Sequence, residues 1–435
     1  MPTVISTLPF PRPALRHHVN LRAQRFIDRF IGVPACAALS LLDMLRPSRA
    51  DRVRPQESRR VVVILLSEMG SLVLAHAMFE RLRRRSPGGS LHVVVFAKNR
   101  EALDLLRVVA PANVLEVDDR SAGRLLASLG RTVTALWRLK PDVVIDCELF
   151  ARIGAILSYL SNAPLRAGFH RGTQEGLYRG SFINRPVQYN PYQHISRQFL
   201  MLADAIDSRT SPLAKMAVFP ARLAAPCFEF DPGEVEGVAR QLHLDFPALQ
   251  GRRLVLVYPG GGILPIRAWP LESHLAVCEA LRDDGHAVAV IGMQQDRAVA
   301  QDLAERLASP HCVNLAGYTK SVRQLLALFR ASDLLVTNDG GPGQFAALTP
   351  LPTIVLFGPE TPALYGSHAP NAHFMYRALP CSPCLTAYNH RNSPCDGDNQ
   401  CLKQIPPDEV LARARVLLAV RAQPADAAVE AVARA

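Results

Sequence analysis

The stretch VVVILLSEMGSLVLAH, residues 61–76, decides the fold. Its first six residues are β-branched or apolar without alternation, which is typical of a strand covered on both faces. A turn containing Gly70 follows, and then a predicted helix over about residues 72–85. In α/β proteins such a strand–turn–helix unit places reacting groups in the turn, where Glu68 is the carboxylate.

The same unit recurs in both halves of the 435-residue chain. Further strands are predicted at residues 91–97, 114–118, 142–147, 253–262, 286–292, 333–341 and 352–360. Helices are predicted at residues 271–285 and 321–332 and from residue 407 onward. The segment 168–231 has weak periodicity, so we expect substrate-facing loops there and one helix near 194–206. The sequence therefore predicts an α/β protein with two doubly wound parallel sheets.

Four segments follow from this pattern. Residues 1–58 form a basic N-terminal extension, 59–235 a first domain, 250–422 a second domain and 423–435 a loose Ala-rich tail. Two doubly wound halves of similar size imply a cleft between them. Ligands of such sheets bind at the carboxyl ends of the strands, so the turns after the strands carry the candidate site residues.

The N-terminal extension combines positive charge with an apolar run. Residues 1–60 contain eleven Arg and four acidic residues, so +7 of the net charge of +11 lies there. The apolar run Ile31–Leu42 is shorter than the roughly 20 residues that span a bilayer. We predict a membrane-surface helix at about residues 25–45, facing anionic lipid rather than nucleic acid. The alternative is a helix packed against the body of the protein.

Two Gly-rich turns follow strands in the second half. The turn in TNDGGPGQFAAL, residues 337–348, contains Gly340 and Gly341, whose backbone N–H groups can approach a phosphate closely. Asp339 in this turn suits a sugar hydroxyl or a helix cap. The turn in YPGGGILPIRAWP, residues 258–270, adds Arg267, whose guanidinium can donate two hydrogen bonds to a phosphate.

The motifs also exclude two classes of nucleotide-binding protein. The chain has no GxxxxGK[ST], so it is not a P-loop NTPase. It has no clean GxGxxG followed by an acid about twenty residues on, which argues against a dinucleotide-dependent oxidoreductase.

Taken in order, several motifs resemble glycosyltransferase family 9, the heptosyltransferases of lipopolysaccharide core synthesis. These are SEMGSLVLAH, YPGGG…RAWP, VNLAGYTKSVRQLLALFRASDLLVTNDGGPGQFAAL and PTIVLFGPETP. The resemblance covers about residues 60–420. It implies a GT-B fold, with an acceptor-binding first domain and a nucleotide-sugar-binding second domain. It also implies a reaction that inverts the anomeric centre and needs no metal or other cofactor.

The resemblance assigns roles to residues of the second domain. Arg267 corresponds to the family's basic residue for the donor phosphates, and Asp339 to the acid that holds the donor sugar. The remaining donor-binding residues are Gly260 and Gly261, Gly292 and Met293 near the nucleobase, Gly340 and Gly341 at the phosphate, and Gln344.

Two positions depart from the family pattern. The family's presumed catalytic Asp is replaced by Ser71, and a hydroxyl is far too weak a base at neutral pH. We therefore predict Glu68 as the base, within a substrate turn of Ser67, Met69, Gly70 and Ser71. The alternative is that Glu68 is a turn carboxylate stabilised by the helix dipole. Gln344 stands where the family commonly has His, which leaves the donor open.

The cysteines indicate a cellular compartment and a candidate metal site. Cys381, Cys384, Cys395 and Cys401 lie within 21 residues, a spacing compatible with a structural zinc site of four thiolates, with His390 as an alternative ligand. The alternative is free or bonded thiols. The other five cysteines have apolar neighbours, as expected of reduced core thiols in a cytoplasmic protein: Cys36, Cys147, Cys227, Cys278 and Cys312.

The resemblance implies an inverting glycosyltransferase on the cytoplasmic face of the inner membrane. It would move a sugar such as heptose from a nucleoside-diphosphate sugar to a lipopolysaccharide-like or lipid-linked acceptor. Two alternatives stay open at this point. One is another GT-B enzyme such as a nucleotide-sugar epimerase. The other is a non-catalytic protein that binds a nucleotide sugar or anionic lipid, which the missing Asp and His support.

Overall fold

The computed structural model describes residues 26–45, 53–66, 68–149, 151–170, 178–208, 223, 225–385, 393 and 395–420. Two six-stranded parallel sheets dominate this part of the chain. The first sheet has the order β3-β2-β1-β4-β5-β6 and the second the order β12-β11-β10-β7-β8-β9. Both have the strand order of a doubly wound fold, as the sequence predicts.

The first sheet contains β1 (Arg60–Ile64), β2 (Ser90–Phe96), β3 (Val114–Val117), β4 (Val143–Asp146), β5 (Leu165–His170) and β6 (Arg185–Gln188). The second contains β7 (Leu254–Tyr258), β8 (Ala287–Gly292), β9 (Cys312–Ala316), β10 (Leu334–Asn338), β11 (Thr353–Phe357) and β12 (Ala372–Tyr376).

Helices cover both sheets. Those up to the second domain are α1 (Val33–Met44), α2 (Met69–Leu74), α3 (His76–Arg85), α4 (Arg100–Leu106), α5 (Ala122–Leu139), α6 (Ile153–Leu160), α7 (Ile195–Ala205) and α8 (Pro232–Asp245). Those of the second domain are α9 (Leu271–Asp283), α10 (Arg297–Leu307), α11 (Val322–Arg330), α12 (Gly341–Ala346), α13 (Pro362–Tyr365), α14 (Gln400–Lys403) and α15 (Pro407–Val420).

Strand β1 shows why the first stretch decides the fold. Its side chains alternate between two cores: Val61 and Val63 enter one, and Val62 and Ile64 enter the other. A strand buried on both faces needs apolar residues at every position, which explains the run without alternation. The first of these cores continues into the second domain, where it includes Leu256, so the two domains share apolar contacts.

The prediction for residues 168–231 was wrong at its beginning. β5 and β6 form there instead of loops, and β9 and β12 of the second sheet were also missed. β6, β9 and β12 are edge strands, and β6 carries Pro186, which edge strands tolerate. Arg166 and Gly168 interrupt the apolar run of β5. The single helix predicted over residues 72–85 is instead two helices, α2 and α3, which meet at Ala75.

A helix forms within residues 25–45, and its predicted position on a membrane surface stays a prediction. A π-helical turn, Asp28–Gly32, leads directly into α1, which packs against α6. The described part of the chain contains no helix with the length and apolar character needed to traverse a bilayer. The predicted loose tail, residues 423–435, lies outside the described residues, and the domain boundaries stay predictions.

Candidate active site

The predicted donor-binding residues gather at one edge of the second sheet. Strands β11, β10, β7 and β8 are consecutive neighbours, and their carboxyl ends point the same way because all are parallel. Asp339 follows β10, Arg267 lies in a short 3₁₀ turn after β7, and Met293 follows β8. The turn after β1, which carries Glu68, faces this edge from the first domain.

Arg267 is the cation at the centre of the site. Its guanidinium is buried and lies near three carboxylates: Nη2 is 2.6 Å from Glu360, Nε is 3.7 Å from Asp339 and Nη1 is 4.0 Å from Glu68. The contact with Glu360 is a charge-assisted hydrogen bond, whereas the other two distances exceed hydrogen-bond length. Glu68 belongs to the first domain, so this cluster joins the two domains.

Glu360 is the site residue that sequence reasoning missed. Its side chain is buried in the turn after β11, next to Asp339 along the sheet edge. Glu360 lies within the motif PTIVLFGPETP, but no local pattern singles out its carboxylate. The available signal was only that a carboxylate lies three residues after the end of a fully buried strand.

Glu68 occupies the N-cap position of α2, and its side chain is partly exposed, at 37%. It makes no capping hydrogen bond to the helix, although its backbone oxygen accepts from the Ser71 N–H at 2.9 Å. The carboxylate is instead directed to within 4.0 Å of Arg267. Capping therefore does not explain this residue. Ser67 of the predicted substrate turn lies outside the described residues.

Two buried side chains fix the end of β1 just before this turn. Glu148 accepts a hydrogen bond from the Leu66 N–H at 2.6 Å. The Asn99 side-chain amide donates to the Leu66 carbonyl oxygen at 3.2 Å. Both backbone groups of Leu66, two residues before Glu68, are thus held by side chains from neighbouring strand ends. No local sequence pattern indicates these partners.

Asn338 joins the two Gly-rich turns. Its amide donates to the carbonyl oxygens of Pro259 and Gly260 at 2.9 and 3.0 Å, and its side-chain oxygen accepts from the Trp269 N–H at 3.0 Å. Gly261 is required by space, because a Cβ there would come within 2.6 Å of a backbone oxygen. The turn with Arg267 is therefore tied to the turn with Asp339.

The predicted residues Gly340, Gly341 and Gln344 belong to the turn after β10. A Cβ at Gly340 or Gly341 would meet nothing closer than 3.9 Å, so the backbone there is open to approach. Gln344 is buried, donates to the Tyr365 carbonyl oxygen at 2.8 Å, and packs against Gly70 of the first domain. Gln344 therefore lies where the two domains meet.

Gly292 and Met293 extend the site along β8. The Met293 backbone N–H donates to Asp296 at 2.8 Å, and its side chain is exposed. A Cβ at Gly292 would come within 2.8 Å of the Asp296 side chain, so the tight turn requires glycine. In the sheet, β8 lies on the side of β7 away from β10, so this turn and Asp339 flank the turn of Arg267, and its role near the nucleobase stays a prediction.

A second contact between the domains is a histidine pair that was not predicted. His194 Nε2 lies 2.8 Å from the Gly366 carbonyl oxygen, and the His194 and His368 rings are 4.2 Å apart. Burial, followed by the nearby His368, lowers the pKa of His194 to about 4. His194 is therefore neutral at physiological pH.

The cysteines only partly follow expectation. All nine are free thiols. Cys36, Cys147, Cys278 and Cys312 are buried, but Cys227 is exposed and is not the core thiol we predicted. Within the described ranges, no three or more His, Cys, Asp or Glu side chains are placed to hold a metal ion. His390 lies outside those ranges, so zinc at Cys381, Cys384, Cys395 and Cys401 stays a prediction.

Comparison with known proteins gives consistent matches. The sequence profile of glycosyltransferase family 9 (heptosyltransferase) matches residues 133–393. Lipopolysaccharide heptosyltransferase 2 of Salmonella typhimurium is 24% identical over 372 residues, covering 82% of this chain and 98% of that protein. Lipooligosaccharide heptosyltransferase 2 of Haemophilus ducreyi is 22% identical over 311 residues, covering 70% and 84%. The structure of Escherichia coli ADP-heptose lipopolysaccharide heptosyltransferase II matches with a TM-score of 0.64 at 20% identity, covering 84% of this chain and all of that one.

Two facing Rossmann-like domains, with carboxylates and an arginine where they meet, define an enzyme of the GT-B class. Since the family profile covers more than half of the sequence, the chain belongs to glycosyltransferase family 9. It is a glycosyltransferase, as its resemblance to the family implies.

Proposed function

We propose that this enzyme transfers heptose from a nucleoside-diphosphate heptose to a lipopolysaccharide-like, lipid-linked acceptor, with inversion and with Glu68 as the base. The contact that carries the proposal is the one between Glu68 and Arg267, because it joins a carboxylate of the acceptor-side domain to the cation of the donor-side domain. Relatives named as lipopolysaccharide or lipooligosaccharide heptosyltransferases, and a structural neighbour named for ADP-heptose, support the choice of sugar.

The distances around Arg267 suggest three different tasks for the three carboxylates. Glu360 is buried and hydrogen-bonded to the guanidinium, so it holds Arg267 in position. Asp339 is buried beside the Gly-rich turn, where it can accept hydrogen bonds from donor-sugar hydroxyls. Glu68 is the most exposed of the three and belongs to the other domain, so it is the one an acceptor hydroxyl can reach.

The reaction is a single displacement. The acceptor oxygen forms a bond to the anomeric carbon, and the bond from that carbon to the diphosphate oxygen breaks. The acceptor proton passes to the Glu68 carboxylate, and the leaving diphosphate takes the bonding electron pair. Arg267 and the N–H groups of the turn at Gly340 and Gly341 stabilise the developing phosphate charge.

No cofactor has a role in this scheme, and zinc at the cysteine cluster would be structural. A lipid-linked acceptor also implies that the enzyme works at a membrane surface, on the cytoplasmic side where nucleotide sugars are available.

The donor site is tested by calorimetric titration with ADP-heptose and with UDP-, GDP- and CMP-sugars. We expect one donor to bind with a Kd on the order of micromolar, the range typical of enzyme substrates, and Arg267→Ala to abolish this binding. Binding of none of these donors would contradict the donor site.

Arg267→Ala leaves the buried Glu360 without its hydrogen-bonded cation, which could unfold the protein. The double variant Arg267→Ala/Glu360→Gln removes that buried charge and should fold without binding the donor. Arg282→Ala removes an arginine that pairs with Asp283 in the last turn of α9 and serves as the matched control. If the double variant binds the donor as tightly as wild type, Arg267 is not a phosphate ligand.

A further inference from the structure

The N-terminal helix differs from an ordinary surface helix, because its buried residues are small and its exposed residues are large and apolar. Gly32, Cys36 and Ser40, spaced four residues apart, face the protein. The large apolar residues exposed on residues 26–45, here called the apolar face, are Phe26, Ile27, Phe30, Ile31, Leu41, Leu42, Met44 and Leu45. A helix in water normally turns such residues inward, so a face of this kind marks a contact with another apolar body.

The charged residues of this helix are also divided between the protein and the solvent. Asp28 pairs with Arg152, and Asp43 pairs with Arg166 at 3.1 Å, both toward the first domain. The other charged residue of this segment, Arg29, is exposed. Both carboxylates are therefore directed to protein partners, and the exposed charge of residues 26–45 is positive.

The helix is also fixed on the domain. The Ser181 N–H donates to Ser40 Oγ at 2.9 Å, and Cys36 lies in a buried cluster with Ala155 and Tyr159. A Cβ at Gly32 would lie 3.2 Å from the Arg152 Cβ, so the backbones approach closely here. These contacts and the two ion pairs hold the helix along the protein surface, with the apolar face outward.

The length of the helix agrees with a position along a membrane rather than through it. The π-helical turn and α1 comprise 5 and 12 residues, which at about 1.5 Å per residue is roughly 25 Å. A bilayer core is about 30 Å thick. Because one side is also docked on the first domain, the helix can insert only its outer side.

Trp137 adds a second element to this region. It is 57% exposed, and its indole N–H donates to the carbonyl oxygen of Leu160 at 2.6 Å. Leu160 ends α6, the helix against which α1 packs. Trp is enriched where apolar lipid meets water, because its ring is apolar and its N–H is polar.

We propose that the apolar face inserts into one leaflet of an anionic lipid bilayer and holds the acceptor-side domain against it. Seven Arg flank the helix in the sequence and provide the charge complementarity for anionic headgroups: Arg12, Arg16, Arg22, Arg25, Arg46, Arg49 and Arg52. A second copy of the chain is the less suitable occupant, since two faces in contact would bring two Arg-rich segments together. The proposal does not depend on which sugar the enzyme transfers.

The test is vesicle flotation of the full chain, without donor, on phosphatidylcholine vesicles with and without about 30% phosphatidylglycerol. Leu41→Glu is compared with Leu244→Glu, because these leucines are 67% and 68% exposed and Leu244 lies in α8, away from the helix. We expect wild type and Leu244→Glu to float with the anionic vesicles. We expect Leu41→Glu to bind about tenfold more weakly, since it loses the insertion of one Leu and adds a charge.

Two results would overturn the proposal. One is equal flotation of Leu41→Glu and wild type, and the other is no flotation of wild type. In either case, light scattering tests whether a second copy of the chain covers the apolar face. A wild-type dimer that Leu41→Glu converts to a monomer would make this face an interface between copies. Circular dichroism and the thermal midpoint establish that both variants are folded.

Discussion

At the scale of single residues, the proposed chemistry depends on Glu68, a carboxylate at an unusual place in the turn. The resemblance to the family places Ser71 where the family has its presumed base, and Glu68 lies three residues earlier. The structure directs Glu68 toward Arg267 and not toward the helix N–H groups. If Glu68 replaces the family base, its removal must affect proton transfer more than binding.

Glu68→Gln should therefore lower kcat by about 10²- to 10⁴-fold, the usual contribution of a general base, with little change in donor affinity. Product formation in a single turnover and donor titration measure the two effects separately. Glu57→Gln is the control, because Glu57 is an exposed glutamate just before β1.

The double variant Glu68→Gln/Ser71→Asp places a carboxylate at the family position. Recovery of turnover would indicate that the missing function is proton acceptance. Normal turnover of Glu68→Gln alone would place the base elsewhere.

The buried pair of Arg267 and Glu360 makes a prediction for stability. Glu360→Gln replaces a hydrogen bond between charged groups by a weaker one, and Asp339 and Glu68 remain near the guanidinium. We expect the free energy of unfolding to fall by about 1.5–3 kcal/mol. Urea unfolding measures it.

Glu409→Gln, which weakens the surface pair with Arg377, is the comparison. It should cost at most about 1 kcal/mol because water screens that pair. Equal losses of unfolding free energy in the two variants would show that the buried pair of Arg267 and Glu360 stabilises the protein no more than the exposed pair does.

The sequence identified most of these residues but not their neighbours. Gly-rich turns after strands led to Arg267 and Asp339, because parallel strands bring their ends to one edge. Glu360, Glu148 and Asn99 lie in equivalent turns, yet nothing local shows which of their side chains turn inward. Their roles arise from contacts between segments far apart in the chain, such as the 82 residues between Leu66 and Glu148.

At the scale of elements, strands were predictable where both faces are buried. β1, β4, β7 and β10 are central, and each contains a run of at least three apolar residues. The missed strands β6, β9 and β12 are at sheet edges, where fewer neighbours require apolar side chains. The missed β5 has neighbours on both sides, but Arg166 finds polar partners within its own domain and with Asp43, so the run is broken.

Helix α6 illustrates how packing overrides intrinsic helix propensity. A Cβ on Gly154 would lie 2.1 Å from Asp146 Oδ1. Asp146 is fully buried in an ion pair with Arg179, and it also accepts the Glu148 N–H at 3.1 Å. Glu148 in turn holds Leu66 before the turn of Glu68. Glycine here leaves room for a buried charge that positions the active-site edge.

Gly154→Ala should therefore destabilise the protein by about 1–3 kcal/mol, as overpacking usually does, and should lower turnover. Gly130→Ala is the matched control, because Gly130 is exposed in α5 and a Cβ added there would meet nothing within 4 Å. Gly130→Ala should raise the free energy of unfolding by about 0.5–1 kcal/mol, because Ala has the higher helix propensity. If both changes stabilise the protein, Asp146 has more room than its contacts indicate.

At the scale of the whole molecule, the cleft was predictable but the contacts across it were not. Two sheets of equal size imply that their carboxyl edges face one another. Which side chains meet depends on how the domains are placed, and no local pattern encodes that. The histidine pair shows this: His194 is an ordinary helix-start residue in the sequence, and its partners Gly366 and His368 are more than 170 residues away.

The hydrogen bonds of His194 define which of its nitrogens carries the proton. Nδ1 accepts from the Ser196 N–H at the start of α7, so Nε2 carries the proton and donates to Gly366 in the other domain. Protonation of Nδ1 would remove the helix cap and place a positive charge at a helix N-terminus, next to His368 and Arg197. These effects act in the same direction as burial, which lowers the pKa of His194 to about 4.

The pKa of His194 makes the domain contact sensitive to acid. Between about pH 6.5 and about pH 4 the unfolded chain binds a proton that the folded chain does not, so this contribution to stability is lost as the pH falls through that window. The free energies of unfolding of wild type and His194→Gln, measured in urea at about pH 7.5 and about pH 5.5, separate the contribution of His194 from that of the other buried histidines. We expect the free energy of unfolding to fall less between these two pH values in His194→Gln than in wild type. Gln retains a hydrogen-bond donor and an acceptor but has no titratable group. His243→Gln, in α8, should show the same acid-induced loss of unfolding free energy as wild type. An equal loss in all three proteins would mean that the neutral His194 contributes nothing to the stability of the contact between the domains.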